Sequence, residues 1–189
     1  MSAILSRRAL LLALTAAASP RLWAEGRPEA THFQVEVVLF TQPGTPPRAV
    51  PGGMRPPAIT SPGRGERLAG DGRWQLAGAR EALARHGGYQ ILGHAAWTAA
   101  VAANGRTTAR LEDVLKGGTA ALAGSITLQR SQQLFLGVDV DYLAAGDGVY
   151  RLRERRRVKF GDRHYFDHPA FGAIALVTPV PGEIAPVTD

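Results

Sequence analysis

The 189-residue chain contains no cysteine, so disulfides, thiolate metal sites and lipid attachment through a cysteine are all excluded. Acid is also scarce: 16 Asp and Glu stand against 22 Lys and Arg, a formal charge of +6. The short signatures of nucleophile, metal and phosphate chemistry are missing, with no Gly-x-Ser-x-Gly elbow, no His-Glu-x-x-His and no phosphate loop. Enzyme is therefore the weaker class, and no cofactor is expected. No apolar run reaches the roughly 20 residues that a membrane-spanning helix needs, so no stable membrane insertion is expected either.

What is present begins with a leader. Arg7 and Arg8 precede an apolar run of about ten residues that ends in small residues, Ala18, Ser19 and then Ala24. That is the layout of a secretory signal peptide over 1–24, with cleavage after Ala18 or, better placed beyond Pro20, after Ala24. Ser6-Arg7-Arg8 also allows a twin-arginine route. The mature chain, 25–189, is long enough for one domain with a real core, and a periplasmic location is expected. Losing Arg7, Arg8 and Arg21 with the leader takes the charge from +6 to +3.

Period-two patterns dominate the rest. Residues 33–40 alternate Phe33, Val35, Val37, Leu39 against Gln34, Glu36, Val38, Phe40, apolar on both faces as a central strand would be. Further strands are expected at 89–97, 107–111, 120–129, 134–142, 149–160 and 172–180. One helix over 73–86 follows the capping residue Asp71 and stops at Gly87-Gly88, with Leu76, Ala79, Leu83 and Trp74 as its apolar stripe. Together these predict an α+β fold: a mainly antiparallel sheet of six to seven strands with one main helix packed on one face. Residues 42–72 hold seven prolines and scarcely an apolar cluster, and read as a Pro/Gly-rich surface loop within the single domain.

The strongest functional signal is the strand at 149–160. Arg151, Arg153, Arg155, Arg157 and Lys159 share one parity, about 6.6 to 6.8 Å apart, and make a basic stripe on one sheet face. A hairpin turning near Gly146 would set Asp141 opposite Arg151 and Asp139 opposite Arg153, using up two of the five cations. Arg155, Arg157 and Lys159 remain, beside Phe135 and within reach of Ser125, Thr127 and Gln129 if that strand is adjacent. Arginines next to hydroxyls, an amide and an aromatic ring suit a glycan bearing carboxylates, so these seven residues are the candidate glycan-binding set. A plain solvated face, or an edge strand protected by charge, is the competing reading. Arg156 points with the core set and is expected to pair with a buried acid near Glu154, or with Glu36. Export makes acidic envelope polymers the expected partners, rather than nucleic acid.

His164, Asp167 and His168 form the only cluster of catalytic flavour. Pro169 and the surrounding aromatics argue for strand and turn rather than a helix that would bring the two histidines together, so no metal site is expected. Asp167 is expected to accept backbone N–H bonds in that turn.

Three blocks, 33–40, 88–97 and above all Arg156-Arg157-Val158-Lys159 through His164-Tyr165-Phe166-Asp167-His168-Pro169-Ala170-Phe171-Gly172, resemble the CsiV family of periplasmic peptidoglycan-binding proteins. The match covers nearly the whole mature chain in order, although 42–72 is unlike the family's charged linker and Gly117-Gly118 interrupts the approach to the middle strands. The resemblance implies a non-enzymatic adaptor or regulator of cell-wall assembly. It also implies contact with an outer-membrane lipoprotein activator of a penicillin-binding protein, for which the 42–72 segment is a candidate contact. The alternatives are an envelope protein-interaction subunit without specific glycan binding, and a metal-dependent envelope hydrolase.

Overall fold

The computed structural model of the chain describes residues 30–44, 50–51, 66–67, 74–115, 121–144 and 148–180. Among them are ten strands and two helices: β1 (Thr31–Thr41), β2 (Val50–Pro51), β3 (Glu66–Arg67), α1 (Ala77–Arg85), β4 (Ile91–Val101), β5 (Arg106–Arg110), α2 (Leu111–Val114), β6 (Leu122–Arg130), β7 (Leu134–Ala144), β8 (Gly148–Val158), β9 (Arg163–His168) and β10 (Phe171–Pro179). They pair antiparallel into two five-stranded sheets. The first runs β3-β4-β1-β10-β9 and the second β2-β8-β7-β6-β5.

This overturns the expected α+β architecture of one six-to-seven-stranded sheet under a main helix. The protein is mostly β, a two-sheet sandwich with two short helices of nine and four residues. The physical reason lies in coverage. Each period-two strand has a buried face to hide, and a nine-residue helix covers only part of one sheet, so the sheets cover each other. Phe33, Val35, Val37 and Leu39 of β1, Trp97 of β4 and Phe171, Ala173 and Val177 of β10 pack into one core with Ile126 and Leu128 of β6, Leu136, Val138 and Val140 of β7, and Leu152 of β8. Burying each large side chain here contributes about 1.5–3 kcal/mol.

β1 is apolar on both faces because it is covered on both. It lies at the centre of the first sheet, and its opposite face carries Val38 and Phe40 beneath Leu76, Ala79 and Leu83. Trp74, expected in that apolar stripe, is instead half-exposed and packs on the His94 ring, 4.3 Å between centroids. The start of α1 is held from the sheet below. Glu36, 1 % exposed, accepts the backbone N–H groups of Gln75 (2.8 Å) and Leu76 (2.9 Å), and lies 2.7 Å from His94 Nε2. An acid from the strand thus satisfies helix-start donors that a local cap ordinarily serves; the expected cap, Asp71, lies outside the described residues.

The proposed leader, 1–24, and most of 42–72 also lie outside the described residues. Two short pieces of the latter segment are not loop: Val50–Pro51 pairs with Val149 and Gly148 on the second sheet, and Glu66–Arg67 pairs with Thr98 and Trp97 on the first. The proline sits on an edge strand, where a missing N–H is tolerated. No helix among the described residues is long and apolar enough to cross a membrane.

Candidate functional site

The outer face of the second sheet is built row by row from its registers. Arg106, Gln129, Phe135 and Arg157 face one another across β5, β6, β7 and β8; Thr108, Thr127, Gly137 and Arg155 make the next row; Arg110, Ser125, Asp139 and Arg153 the third. Directly opposed residues share a face, so β5 and β8 raise arginines on either side of β6 and β7, whose Ser125, Thr127 and Gly137 leave a low strip between them. The result is a shallow groove of about 430 Å³, lined by Arg106 on one wall, Arg153 and Arg155 on the other, and Ser125, Thr127 and Gly137 along its floor. Three strand spacings separate the two walls, about 14 Å between backbones.

Arg155 reaches into this groove. Gly137, its register partner, has no side chain to block it, and the guanidinium crosses β7 to lie 4.2 Å above the Phe135 ring while donating 2.9 Å to Gln129 Oε1. The Thr108 and Thr127 hydroxyls bond to each other at 2.9 Å, and Ser125 is buried at the base of the groove. A planar cation held over an aromatic ring, beside an amide and a hydroxyl pair, presents one face of its fork to whatever enters.

At the other end of the face the charges are spent. Arg151 donates to both oxygens of buried Asp141, at 2.7 and 2.8 Å, and that carboxylate raises the guanidinium's pKa further above its ordinary value. Arg153 donates to Asp139 at 2.9 Å. The register expected around Gly146 is the one observed, with Asp141 opposite Arg151 and Asp139 opposite Arg153.

The seven sequence-derived residues therefore do not form one site. Arg155, Phe135, Gln129, Thr127 and Ser125 gather in or beside the groove; Arg157 stands opposite Phe135 on the same outer face and, with Lys159 beyond the end of β8, also lines a second cleft at the end of the sandwich. Two further arginines share this outer face without a sequence signal that marks them. Arg106 and Arg110 lie on β5, a five-residue strand with only weak alternation, and only its pairing with β6 puts both on the outer face, where Arg106 lines the groove. Arg156 follows expectation in direction but not in partner: its Nε donates 2.9 Å to Glu154 itself, and its guanidinium lies 4.8 Å from the Phe166 ring centroid. Glu36 serves α1 and His94 instead.

No family model, curated protein or solved structure matches this chain.

The histidine cluster falls on β9 and its hairpin to β10. Asp167 accepts from the Gln42 side-chain amide at 2.6 Å and from the Tyr165 hydroxyl at 3.1 Å, not from the backbone donors expected of it. Gln42 also donates to the Tyr165 oxygen, and burial raises that hydroxyl's pKa above its ordinary value. His164 Nε2 lies 3.1 Å from the Lys159 amide nitrogen. His168 packs among Tyr150 and Phe171, and its Nδ1 accepts the Ala170 N–H at 3.1 Å. Among the described residues, no three potential metal ligands come together.

Burial lowers the pKa of His168 below its usual value, with Asp167 opposing the shift. The unfolded chain then takes up its proton first as pH falls, so this histidine's contribution to stability is complete above about pH 6.5 and is lost as pH falls toward the folded-state pKa. His168→Asn keeps an acceptor near the Nδ1 position without titrating. The melting temperature of the parent should fall more steeply between pH 7 and 5 than that of this variant; parallel curves would remove His168 from the acid response.

Proposed function

We propose that the protein is an exported, non-enzymatic peptidoglycan-binding adaptor or regulator of cell-wall assembly, and that the groove on the outer face of the second sheet is its glycan site. The observation that carries the reading is Arg155, laid over Phe135 and bonded to Gln129 above a floor of hydroxyls, with Arg106 on the facing wall. Sugar rings stack on aromatic and guanidinium planes, and a guanidinium fork matches a lactyl or stem-peptide carboxylate in two hydrogen bonds. The resemblance to the CsiV family supports the same polymer, a periplasmic location and a lipoprotein partner.

Sacculus pelleting tests the site. The double variant Arg106→Glu with Arg155→Glu should lose pelleting at 0.15 M salt while keeping the parent's melting temperature, because both side chains are exposed. Parent binding should weaken but persist at 0.5 M salt, where the Debye length is about 4 Å and unspecific charge attraction is gone. A double variant that pellets like the parent would refute the groove as the site.

A further inference from the structure

A second cavity, about 550 Å³, opens at the end of the sandwich where β1 begins and β10 ends. Its geometry differs in kind from the groove, because it enters between the sheets rather than lying on one of them. Phe33 and Leu134 line it from the core, and Phe160, 53 % exposed, stacks on Phe33 with centroids 5.6 Å apart and planes 12° from parallel. Three cations stand around this apolar lining. Arg130 projects from the inner face of β6 and donates across the gap to the Thr31 hydroxyl of the first sheet, while Arg157 and Lys159 follow from the end of β8. No acid among the described residues pairs with any of the three. Arg130 is half-buried while Arg157 and Lys159 are exposed, so the three concentrate positive charge at the mouth of the apolar cleft, where an anion can reach all of them.

We infer that this cleft binds a single-chain anionic amphiphile, its apolar chain entering between the sheets along Phe160 and Phe33 and its headgroup held by Arg130, Arg157 and Lys159. Pockets of this volume at the open ends of β architectures are large enough to enclose most of a small ligand. The apolar lining selects for a chain, and the cations select the sign of its head. A carboxylate and a phosphate monoester share that chemistry; their relative affinities identify the source, a fatty acid or a lipid phosphate.

Titration calorimetry of the mature protein with dodecanoate, dodecyl phosphate and dodecyltrimethylammonium, each below its micelle-forming concentration, tests the inference. At least one of the two anions should bind with 1:1 stoichiometry, and the cation of the same chain length should bind at least tenfold more weakly or not at all. Lys159→Glu and Phe160→Ser alter exposed positions outside the ladders, and each should weaken the anion at least tenfold. The groove variant Arg106→Glu with Arg155→Glu should bind the amphiphile like the parent, which separates this site from the peptidoglycan reading. Equal binding of the cationic amphiphile, unaltered affinity in both cleft variants, or pelleting with anionic vesicles without uptake of the monomeric anions would each overturn the inference.

Discussion

Replacing Glu36 with alanine is expected to lower the melting temperature by roughly 6–20 °C, the equivalent of about 3–5 kcal/mol in a domain of this size. The carboxylate lies almost wholly out of solvent and satisfies two backbone N–H groups and a histidine nitrogen. Removing it strands the donors of Gln75 and Leu76 at a helix start, where each buried unsatisfied group costs about 1–3 kcal/mol, and takes away the negative charge that favours the helix dipole. The loss should be visible locally as well. α1 covers Val38, Phe40 and Leu176, so hydrogen exchange in 77–85 should accelerate before the sandwich itself opens. Glu36→Gln keeps one acceptor oxygen and should fall between parent and alanine variant. A melting temperature within 2 °C of the parent in the alanine variant would show that α1 is held by its apolar stripe alone.

Gly124→Ala is expected to be more damaging still. Gly124 sits within β6 at φ +137°, and a Cβ there would lie 2.1 Å from the Asp139 carbonyl oxygen and 2.9 Å from the Val140 Cα. Both are backbone atoms of the paired strand, so neither can step aside without parting β6 from β7. The register that places Ser125 opposite Asp139 runs through the same point, and with it the floor of the groove. We expect a loss of more than about 4 kcal/mol, enough to consume much of a typical domain's stability. Gly161→Ala provides the control. Its φ of +75° is also left-handed but nothing lies within 4 Å of its Cβ, so it should cost only the roughly 1–2 kcal/mol of the backbone conformation. Urea midpoints of the two variants that agree within error would mean the clash at Gly124 relaxes freely.

Much of the local structure was legible because strands announce themselves through period two. The register of β7 against β8 is legible to the residue, since Asp139 and Asp141 have matching cations at mirror positions across Gly146 in the sequence. The sequence pattern predicts a helix over 73–86, and the structure has it shorter, chiefly at its N-terminal side, at Ala77–Arg85. The acid that holds its start comes from forty residues earlier, which no local capping pattern can reveal. Strand parity places Phe135 and Gln129 near Arg155, yet the reason they meet, the flat spot at Gly137, depends on a register across three strands. The face of Arg106 and Arg110 is not legible in the sequence, because a five-residue strand carries too few positions for its alternation to stand out.

The amino-acid order by itself determined which segments extend, which face of each strand is apolar, and where positive charge is concentrated, because side-chain parity and composition are local properties. It also excluded every chemistry that needs a thiol. Tertiary structure alone decided that the strands divide into two sheets rather than one, since antiparallel pairing between neighbours in sequence looks the same in either case and only the mutual covering of apolar faces breaks the tie. Arg155 lines the groove, and Arg157 and Lys159 line the cleft that opens at the end of the two sheets. On the strand they are consecutive members of one stripe; Arg155 leans over the small Gly137 toward Phe135 and Gln129, while Arg157 is the last outward position of β8 and Lys159 lies past its end, where the sandwich opens.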